Sequence, residues 1–197
     1  SLAATGLAAA FLSSGVSILI RRMGASEPPA TIVFYAGDND LQDGRTPQAV
    51  LADFQALTAK VHAALPQTRS RSDIHCVTSW SRYDNDWEGV RTRDLLDLVE
   101  PRDEAVAVML HGYDGYTTNV PLADFAAEDT LIAHRWAGAP LTKSHGGPAR
   151  LVIPHLYFWK SAKWIAAIEF LGADKPGFWE ASGYHIRGDP WAEERYS

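Results

Sequence analysis

A single cysteine is the residue of this sequence with the most distinctive chemistry. Cys76 has no partner cysteine in 197 residues, which excludes an intramolecular disulfide framework, a CxxC redox pair and covalent haem attachment. A lone free cysteine is more often a small buried hydrophobe than a reactive centre. As a nucleophile it would need a base, and the adjacent His75 is badly placed because neighbouring strand residues point to opposite faces. A zinc site has even less support, since the chain has no HExxH motif.

The second chemical feature is a run of bases without acids. Between Thr130 and Ile168 there is no Asp or Glu, so this acid-free window holds five bases, while the rest of the chain holds 13 bases against 24 acids. The segment HGGPARLVIPHLYFWKSAKW is too aromatic and apolar for an ordinary surface, and bases among buried aromatic residues need a counter-ion. The pattern favours a pocket for a phosphate-bearing or other anionic ligand, and a solvated basic face is the alternative. The bases and histidines of the window are Arg135, Lys143, Arg150, Lys160, Lys163, His134, His145 and His155.

The composition is that of a globular protein. With 46% apolar and 21% charged residues, the chain has enough apolar material for one core or for two small ones. The net charge of −6 argues against binding a long nucleic-acid duplex, which needs a basic surface. We therefore expect no nucleic-acid partner.

Residues 1–29 have an apolar start. Ser1–Ile20 contains no charged residue and is followed by Arg21 and Arg22, so its length is close to that of a membrane span. Three interpretations are open: a helix packed in the fold, a remnant of an export signal or anchor, and a disordered leader. Membrane contact is expected only in the second case, and the compartment is left open between bacterial cytoplasm and periplasm.

Residues 30–70 predict a strand followed by a helix. The run Thr31–Ala36 is β-branched and aromatic, which is typical of a buried strand. Thr46 and Pro47 provide an N-cap and a first helical residue, and apolar residues then recur at spacings of three and four up to Pro66. These apolar residues are Val50, Phe54, Leu57, Val61 and Leu65.

Residues 71–197 alternate short strands and helices joined by long loops. We predict strands over Ile74–Thr78, Ala105–Leu110 and Leu151–Ile153, and helices over Asp94–Val99 and Ala123–Ala133. Loops such as HGYDGYTTNVP and GAPLTKSHGGP are the usual place for binding groups held by a rigid scaffold.

Five segments of this second part resemble one known family. They are IHCVTSWS around Cys76, GYTTNVPL at 115–122, HGGPARLVIP at 145–154, KSAKW at 160–164 and GYHIRGDPW at 183–191. Their order and spacing resemble the molybdenum-cofactor domain of the sulfite oxidase family, especially its small bacterial members. The resemblance implies an α+β fold with a mixed or antiparallel sheet, beside which the N-terminal strand–helix unit would pack.

The resemblance also implies a cofactor site. Cys76 would be the thiolate ligand of molybdenum, whose other sulfur ligands come from the dithiolene of molybdopterin, and a lone soft thiolate suits such a metal. Tyr116 would be the family tyrosine near the metal. The residues that would hold the cofactor are His145, Arg150, Lys160, Ser161 and Lys163, all of which lie in the acid-free window.

The function implied is oxygen-atom transfer on a small substrate. Because the chain has no haem motif and no other cysteine, it would exchange electrons with a separate partner such as a cytochrome. True sulfite oxidases place sulfite-binding arginines soon after the cysteine, whereas here Ser79, Trp80 and Ser81 precede the first base, Arg82. This pattern is more similar to the branch that includes the methionine sulfoxide reductase catalytic subunit, so sulfite is a doubtful substrate.

The segment at 30–69 resembles a different family. Gly37, Asn39 and Asp40 match the third conserved block of the SGNH, or GDSL-type, hydrolases, in which the asparagine donates to the oxyanion. The nucleophile block is absent, and no convincing D-x-x-H follows. We therefore consider a chimera, with an SGNH-like fragment at 30–70 and a molybdopterin domain at 71–197. Two alternatives to the oxidoreductase stay open, an SGNH-type esterase and a chimera without catalytic function.

Overall fold

Two β-sheets position the residues considered above. The structure is a computed structural model that describes residues 65–197 and the backbone of three strands before them. The strands are β1 (Leu7–Phe11), β2 (Ser17–Arg21), β3 (Thr31–Tyr35), β4 (Gln67–His75), β5 (Ser81–Arg91), β6 (Ala107–Gly112), β7 (Thr117–Pro121), β8 (Leu131–Trp136), β9 (Ala139–Pro140), β10 (Arg150–Val152) and β11 (Ile165–Leu171). The helices are α1 (Thr92–Val99) and α2 (Leu122–Phe125), and 3-10 turns span Lys143–His145, Phe158–Lys160 and Glu180–Ser182.

The six-stranded sheet has the order β1-β2-β3-β11-β6-β7, and each of its pairs is antiparallel. Strand β11 lies between β3 and β6, with Ile168 opposite Ile32 on one side and Leu110 on the other. The apolar run Ala107–Leu110 is buried throughout, as expected of a strand covered on both faces. The early strands therefore extend the same sheet as β6, β7 and β11.

The second sheet has the order β10-β8-β5-β4, with β9 paired to β8, and is also antiparallel. Strand β5 spans 11 residues and buries Trp87 and Val90. Its register against β8 shifts between Glu88 and Gly89, where a Cβ on Gly89 would lie 2.2 Å from the Ile132 carbonyl oxygen. Only glycine permits this close approach of two strands.

Two apolar clusters stabilise the described part of the chain. The larger joins α1, β6, β10 and β11 through residues such as Leu95, Leu110, Leu151 and Phe170. The smaller lies on the second sheet and contains Ile74, Trp87, Leu131, Ala133 and Val152, with Phe158 packed against it. Burial of these side chains supplies the main favourable free energy of folding.

Several expected elements are confirmed. Thr31–Ala36 corresponds to β3, Ala105–Leu110 to β6, Asp94–Val99 to α1 and Leu151–Ile153 to β10. Helix α1 forms because Leu95 and Val99 are four residues apart and face the core together. The described residues 65–197 contain only two short α-helices, so the α+β expectation overstates the helical content.

Two predicted elements are wrong. The helix expected over Ala123–Ala133 ends at Phe125, and residues from Leu131 form β8. The Thr130 hydroxyl donates to the Asp124 carbonyl at 3.0 Å, and this bond competes with the backbone bonds of a longer helix. The strand expected over Ile74–Thr78 ends at His75, where the chain turns into β5.

The apolar start contains strands β1 and β2, where one interpretation is a helix. Ser13, Ser14 and Gly15, which favour turns, separate the two apolar runs. The helix expected between Thr46 and Leu65 lies outside the described residues. In the described residues no helix is long and apolar enough to cross a membrane.

Candidate functional site

Cys76 begins the loop 76–80, which joins β4 to β5. Its amide donates to the Trp80 carbonyl at 2.9 Å, and its own carbonyl accepts from the Ser79 amide at 3.0 Å. Ser79 takes the left-handed conformation, with φ of 71°, which such a tight reversal requires. The thiol is half-buried and lies 3.1 Å from the Thr78 hydroxyl. The hairpin thus presents the thiol at its tip.

The HGGPAR segment (145–150) and the KSAKW segment (160–164) lie side by side. The Leu151 amide donates to the Ala162 carbonyl at 2.9 Å, and the Ile165 amide donates to the Ala149 carbonyl at 3.1 Å. The Arg150 guanidinium also joins them, donating to the His145 carbonyl at 3.1 Å and to the Ser161 carbonyl at 2.9 Å. The structure therefore brings together four of the five residues expected to hold the cofactor.

Arg150 is a buried cation. The residue is 3% exposed, and its guanidinium lies 4.3 Å from the ring centre of Phe158 and 5.7 Å from that of Trp87. Burial lowers its pKa to about 10. The ion pairs found among residues 65–197 include none with Arg150. The expectation of bases among buried aromatic residues is confirmed here, and such a charge favours an anionic ligand.

Lys163 lies beside Arg150. Its ammonium donates to the Ser144 carbonyl at 2.9 Å, and burial together with the Arg150 charge lowers its pKa. Gly146 makes this proximity possible, because its φ is +99° and an added Cβ would lie 3.0 Å from the Lys163 Cβ and 3.1 Å from the Arg150 Cβ. Two like charges at close range are balanced by an anion more readily than by water.

His145 and Ser161 complete this group. The His145 ring stacks on Trp136 with centroids 5.6 Å apart, and its Nδ1 lies 2.7 Å from the Thr142 hydroxyl oxygen. Ser161 is 3% exposed, and its hydroxyl oxygen accepts from the Ile153 amide at 3.0 Å. These contacts fix both side chains, while the backbone carbonyls of the same two residues accept from Arg150.

Lys160 has a different environment from the other candidates. It forms a fully buried ion pair with Glu180, at 2.6 Å, and donates to the Asn119 carbonyl at 2.9 Å and to the Ile186 carbonyl. Burial lowers its pKa, and the Glu180 carboxylate opposes that shift. An ammonium has three protons, so the expected contact with the cofactor would require one of these bonds to break.

Tyr116 lies on the same side as Lys160. Its hydroxyl donates to the Trp159 carbonyl at 2.6 Å, and Trp159 in turn donates to Glu180 at 2.9 Å. Burial, reinforced by the Glu180 charge, raises the pKa of Tyr116. Among the contacts of residues 65–197, none joins Tyr116 to the Cys76 loop.

An ion network around Asp124 was not anticipated from the sequence. Asp124 accepts two bonds from Arg187, at 2.9 and 3.0 Å, and lies 3.2 Å from His155, whose other nitrogen lies 3.2 Å from Asp129. The Asp124 and Asp129 hydrogen bonds raise the pKa of His155 to about 9. Burial alone would raise the pKa of Asp124, but the bonds from His155 and Arg187 lower it to about 2. No local spacing signals these contacts, which join residues far apart in the sequence.

The comparisons with known proteins identify the family of the chain. Residues 48–179, about two thirds of the chain, match the oxidoreductase molybdopterin binding domain. The chain therefore belongs to this family of molybdopterin-binding oxidoreductases, whose cofactor is molybdenum–molybdopterin. The expected resemblance to the molybdopterin domain is confirmed.

The chain is also similar to individual oxidoreductases and to a solved structure. The uncharacterized oxidoreductase YuiH of Bacillus subtilis (strain 168) is 54% identical over 134 residues, which are 68% of this chain and 68% of that protein. The putative protein-methionine-sulfoxide reductase subunit YedZ1 of Azospira oryzae is 27% identical over 160 residues, which are 78% of this chain and 61% of that protein. The sulfane dehydrogenase SoxCD of Paracoccus pantotrophus shares the fold, with a TM-score of 0.52, 19% identity, and coverage of 58% of this chain and 34% of that chain.

The same comparisons give no support to a hydrolase fragment or a chimera. The family match begins at residue 48, inside the segment 30–70 that resembles the SGNH hydrolases. Strand β3, from the same segment, pairs with β11. A short G-x-N-D string is a weak signal, because glycine, asparagine and aspartate are also the ordinary residues of turns.

Proposed function

We propose that this chain catalyses oxygen-atom transfer on a small sulfur compound, with molybdenum–molybdopterin bound between the Cys76 loop and the HGGPAR and KSAKW segments. The observation that carries the proposal is Arg150, a buried guanidinium with three carbonyl partners and no carboxylate partner in the described part of the chain. A phosphate-bearing cofactor supplies the missing anion.

The residues present fit such a cofactor. Arg150 and Lys163 would balance negative charge. The ring of His145 and the hydroxyl of Ser161 lie on the same two segments and are each held by a contact of their own. Cys76 offers the soft ligand that molybdenum takes, and its thiol has Thr78 as its one hydrogen-bond partner among residues 65–197. When bound, the cofactor supplies oxygen-atom transfer coupled to the gain or loss of electrons. Tyr116 and Lys160 would join the site only by exchanging their present bonds.

Arg82, the first base after Cys76, bears on the choice between an anionic substrate such as sulfite and a neutral one. Its guanidinium lies over the Trp136 ring at 4.2 Å, in a cation–π contact. In addition, the residues just before Arg82, which are Ser79, Trp80 and Ser81, carry no charge that could bind an anion. We therefore favour a neutral sulfoxide over sulfite, in keeping with the name of the YedZ1 relative.

The electrons would pass to or from a separate redox protein. The chain has one cysteine and no C-x-x-C-H string, so it carries no ligand set for a second redox centre of the haem c or iron–sulfur type.

The test is the molybdenum content of protein made in a host that synthesises the cofactor. We expect about one molybdenum per chain in the wild type. Cys76→Ser removes the thiolate, and Arg150→Met removes the buried cation, so each should lower the content about tenfold or more. Arg71→Gln is the matched control, because it removes an arginine from an exposed ion pair on β4. A wild type without molybdenum, or an Arg150→Met variant with undiminished content, contradicts the proposal.

A further inference from the structure

The Cys76 loop is held from outside the hairpin. Within the loop, the Cys76 and Ser79 amides bond to loop carbonyls. The Val77 carbonyl, one residue after Cys76, instead accepts from the guanidinium of Arg195. This is a charge-assisted bond between residues 118 positions apart in the chain, and such bonds are stronger than neutral ones.

Arg195 is itself fixed in place. Its Nε lies 2.8 Å from the Glu193 carboxylate, and its carbonyl accepts from the His185 amide at 3.1 Å. The guanidinium lies 5.0 Å from the ring centre of Tyr157, which is 2% exposed. The arginine side chain is 24% exposed, so it is ordered by neighbours on several sides rather than extended into water.

The residue before Cys76 is held by the same neighbours. His75 pairs with Tyr157 in a parallel bridge, and its ring meets Trp191 edge-on at 5.1 Å. The Tyr157 amide donates to the Gly188 carbonyl at 2.7 Å, which joins this bridge to the segment 184–197. Both neighbours of Cys76 are thus bound to residues far from the hairpin.

We propose that Arg195 is a positioning residue for Cys76, whose backbone it holds in place through the Val77 carbonyl. Two dihedral angles separate this carbonyl from the Cys76 backbone, so freedom at Val77 becomes freedom of the backbone that carries the thiol. The effect of an ordered Cys76 loop on molybdenum binding rests on the proposed function, whereas the effect of Arg195 on the loop itself does not.

The test is amide hydrogen exchange in the cofactor-free protein. In Arg195→Gln, protection of the Cys76 and Ser79 amides should fall about tenfold, as expected for loss of one charge-assisted hydrogen bond. Protection of the β6 amides should stay unchanged. Arg195→Lys keeps the charge and should restore part of the protection. Arg71→Gln removes a similar arginine–carboxylate pair from the same hairpin and should leave the loop amides unchanged.

Alkylation of Cys76 gives a second measurement, because it is the one thiol in the chain. Its rate, followed as a function of pH to separate exposure from ionisation, should change in Arg195→Gln but not in Arg71→Gln. Unchanged loop protection in Arg195→Gln overturns the proposal, and so does an equal loss at the β6 amides, which would mean general destabilisation. Molybdenum content separates the two claims: a wild type without molybdenum contradicts the proposed function, while a loop-specific loss of protection would still support the role of Arg195.

Discussion

Arg150, His155 and Lys160 are all bases of the acid-free window, yet they have different electrostatic surroundings. His155 lies between Asp124 and Asp129, and Lys160 is paired with Glu180. Arg150 has carbonyl oxygens, aromatic rings and the Lys163 ammonium around it, and it has no carboxylate partner in the described part of the chain. Bases from a segment that has no acids in its sequence can therefore still lie beside acids in the fold. Among these three bases, Arg150 is the one on which an anion has most effect.

The first prediction concerns this arginine. Pyrophosphate should raise the thermal unfolding midpoint of the cofactor-free protein, because an anion beside Arg150 offsets the burial that lowers its pKa to about 10. In Arg150→Met most of the rise should be lost, while Arg71→Gln should respond as the wild type does. Differential scanning fluorimetry over a pyrophosphate series measures both. An equal rise in Arg150→Met would place the anion elsewhere.

The second prediction concerns His155, whose pKa is raised from 6.5 to about 9 in the folded protein. A base with a raised pKa stabilises the fold while protonated, so its contribution is complete below pH 6.5 and disappears as the pH rises through about 9. The full shift corresponds to about 3 kcal/mol. Because His155 is only half-buried, water screens the pair, and the free energy of unfolding of the wild type relative to His155→Gln should fall by about 2 kcal/mol across this range. Urea unfolding at several pH values measures the difference, and a pH-independent difference would contradict it.

At the scale of elements, turns and strand ends carry the site. The Phe158–Lys160 turn and the Glu180–Ser182 turn are joined by the Lys160–Glu180 pair, and Thr118 in β7 also donates to Glu180 at 3.0 Å. Trp159 contributes a further bond to the same carboxylate. This buried cluster ties the start of the KSAKW segment to the body of the six-stranded sheet.

The third prediction tests that cluster. Lys160→Met leaves the Glu180 carboxylate buried without its cation, which should lower the free energy of unfolding by about 3 kcal/mol. Adding Glu180→Gln removes the unpaired charge and should restore part of the loss. Urea unfolding of the two variants measures the effect, with Arg71→Gln as an exposed ion-pair control that should change little. A single variant as stable as the control would show that the pair contributes nothing.

Local sequence predicts some elements and not others, for a physical reason. The apolar run of β6 and the spacing of Leu95 and Val99 in α1 carry their own signal. Residues 123–133 are rich in alanine and look helical, but Leu131–Trp136 pairs with β5 and β10, and such pairing is decided by distant residues.

In the candidate site, too, some contacts are signalled by local sequence and others depend on distant residues. Family motifs predicted Arg150, Ser161, Lys163 and His145 together, and the structure places them together. No motif predicted that Glu180 would meet Lys160, since this contact is made by tertiary folding. The roles of all these residues toward the cofactor, and those of Cys76 and Tyr116, stay predictions.

At the scale of the whole molecule, the three strands before residue 65 belong to the same sheet as β6, β7 and β11. The composition changes near Pro66–Ser72, but β4 crosses this boundary and pairs with β5 from Gln67 onward. Composition alone therefore does not mark a structural junction here.

The fourth prediction follows from that pairing. Arg69 and Arg71 have exposed side chains, at 86% and 65%, but their backbone is paired with β5 along β4, so it cannot enter the active-site cleft of a protease without local unfolding. Trypsin should therefore leave these bonds uncut until the protein unfolds. Limited digestion with mass spectrometry checks this. Rapid cleavage at either arginine, with residues 71–197 still folded, would instead reveal two independent units.

The position of β11 between β3 and β6 has a consequence for biogenesis. The ribosome releases Thr31–Tyr35 early and Ile165–Leu171 late, so the apolar edge TIVFY has no partner from β11 while the intervening chain is made. At roughly 5–20 residues per second, this wait is on the order of ten seconds. Such an open edge is a template for pairing with other nascent chains. A chaperone that covers this edge during translation should therefore raise the yield of folded protein.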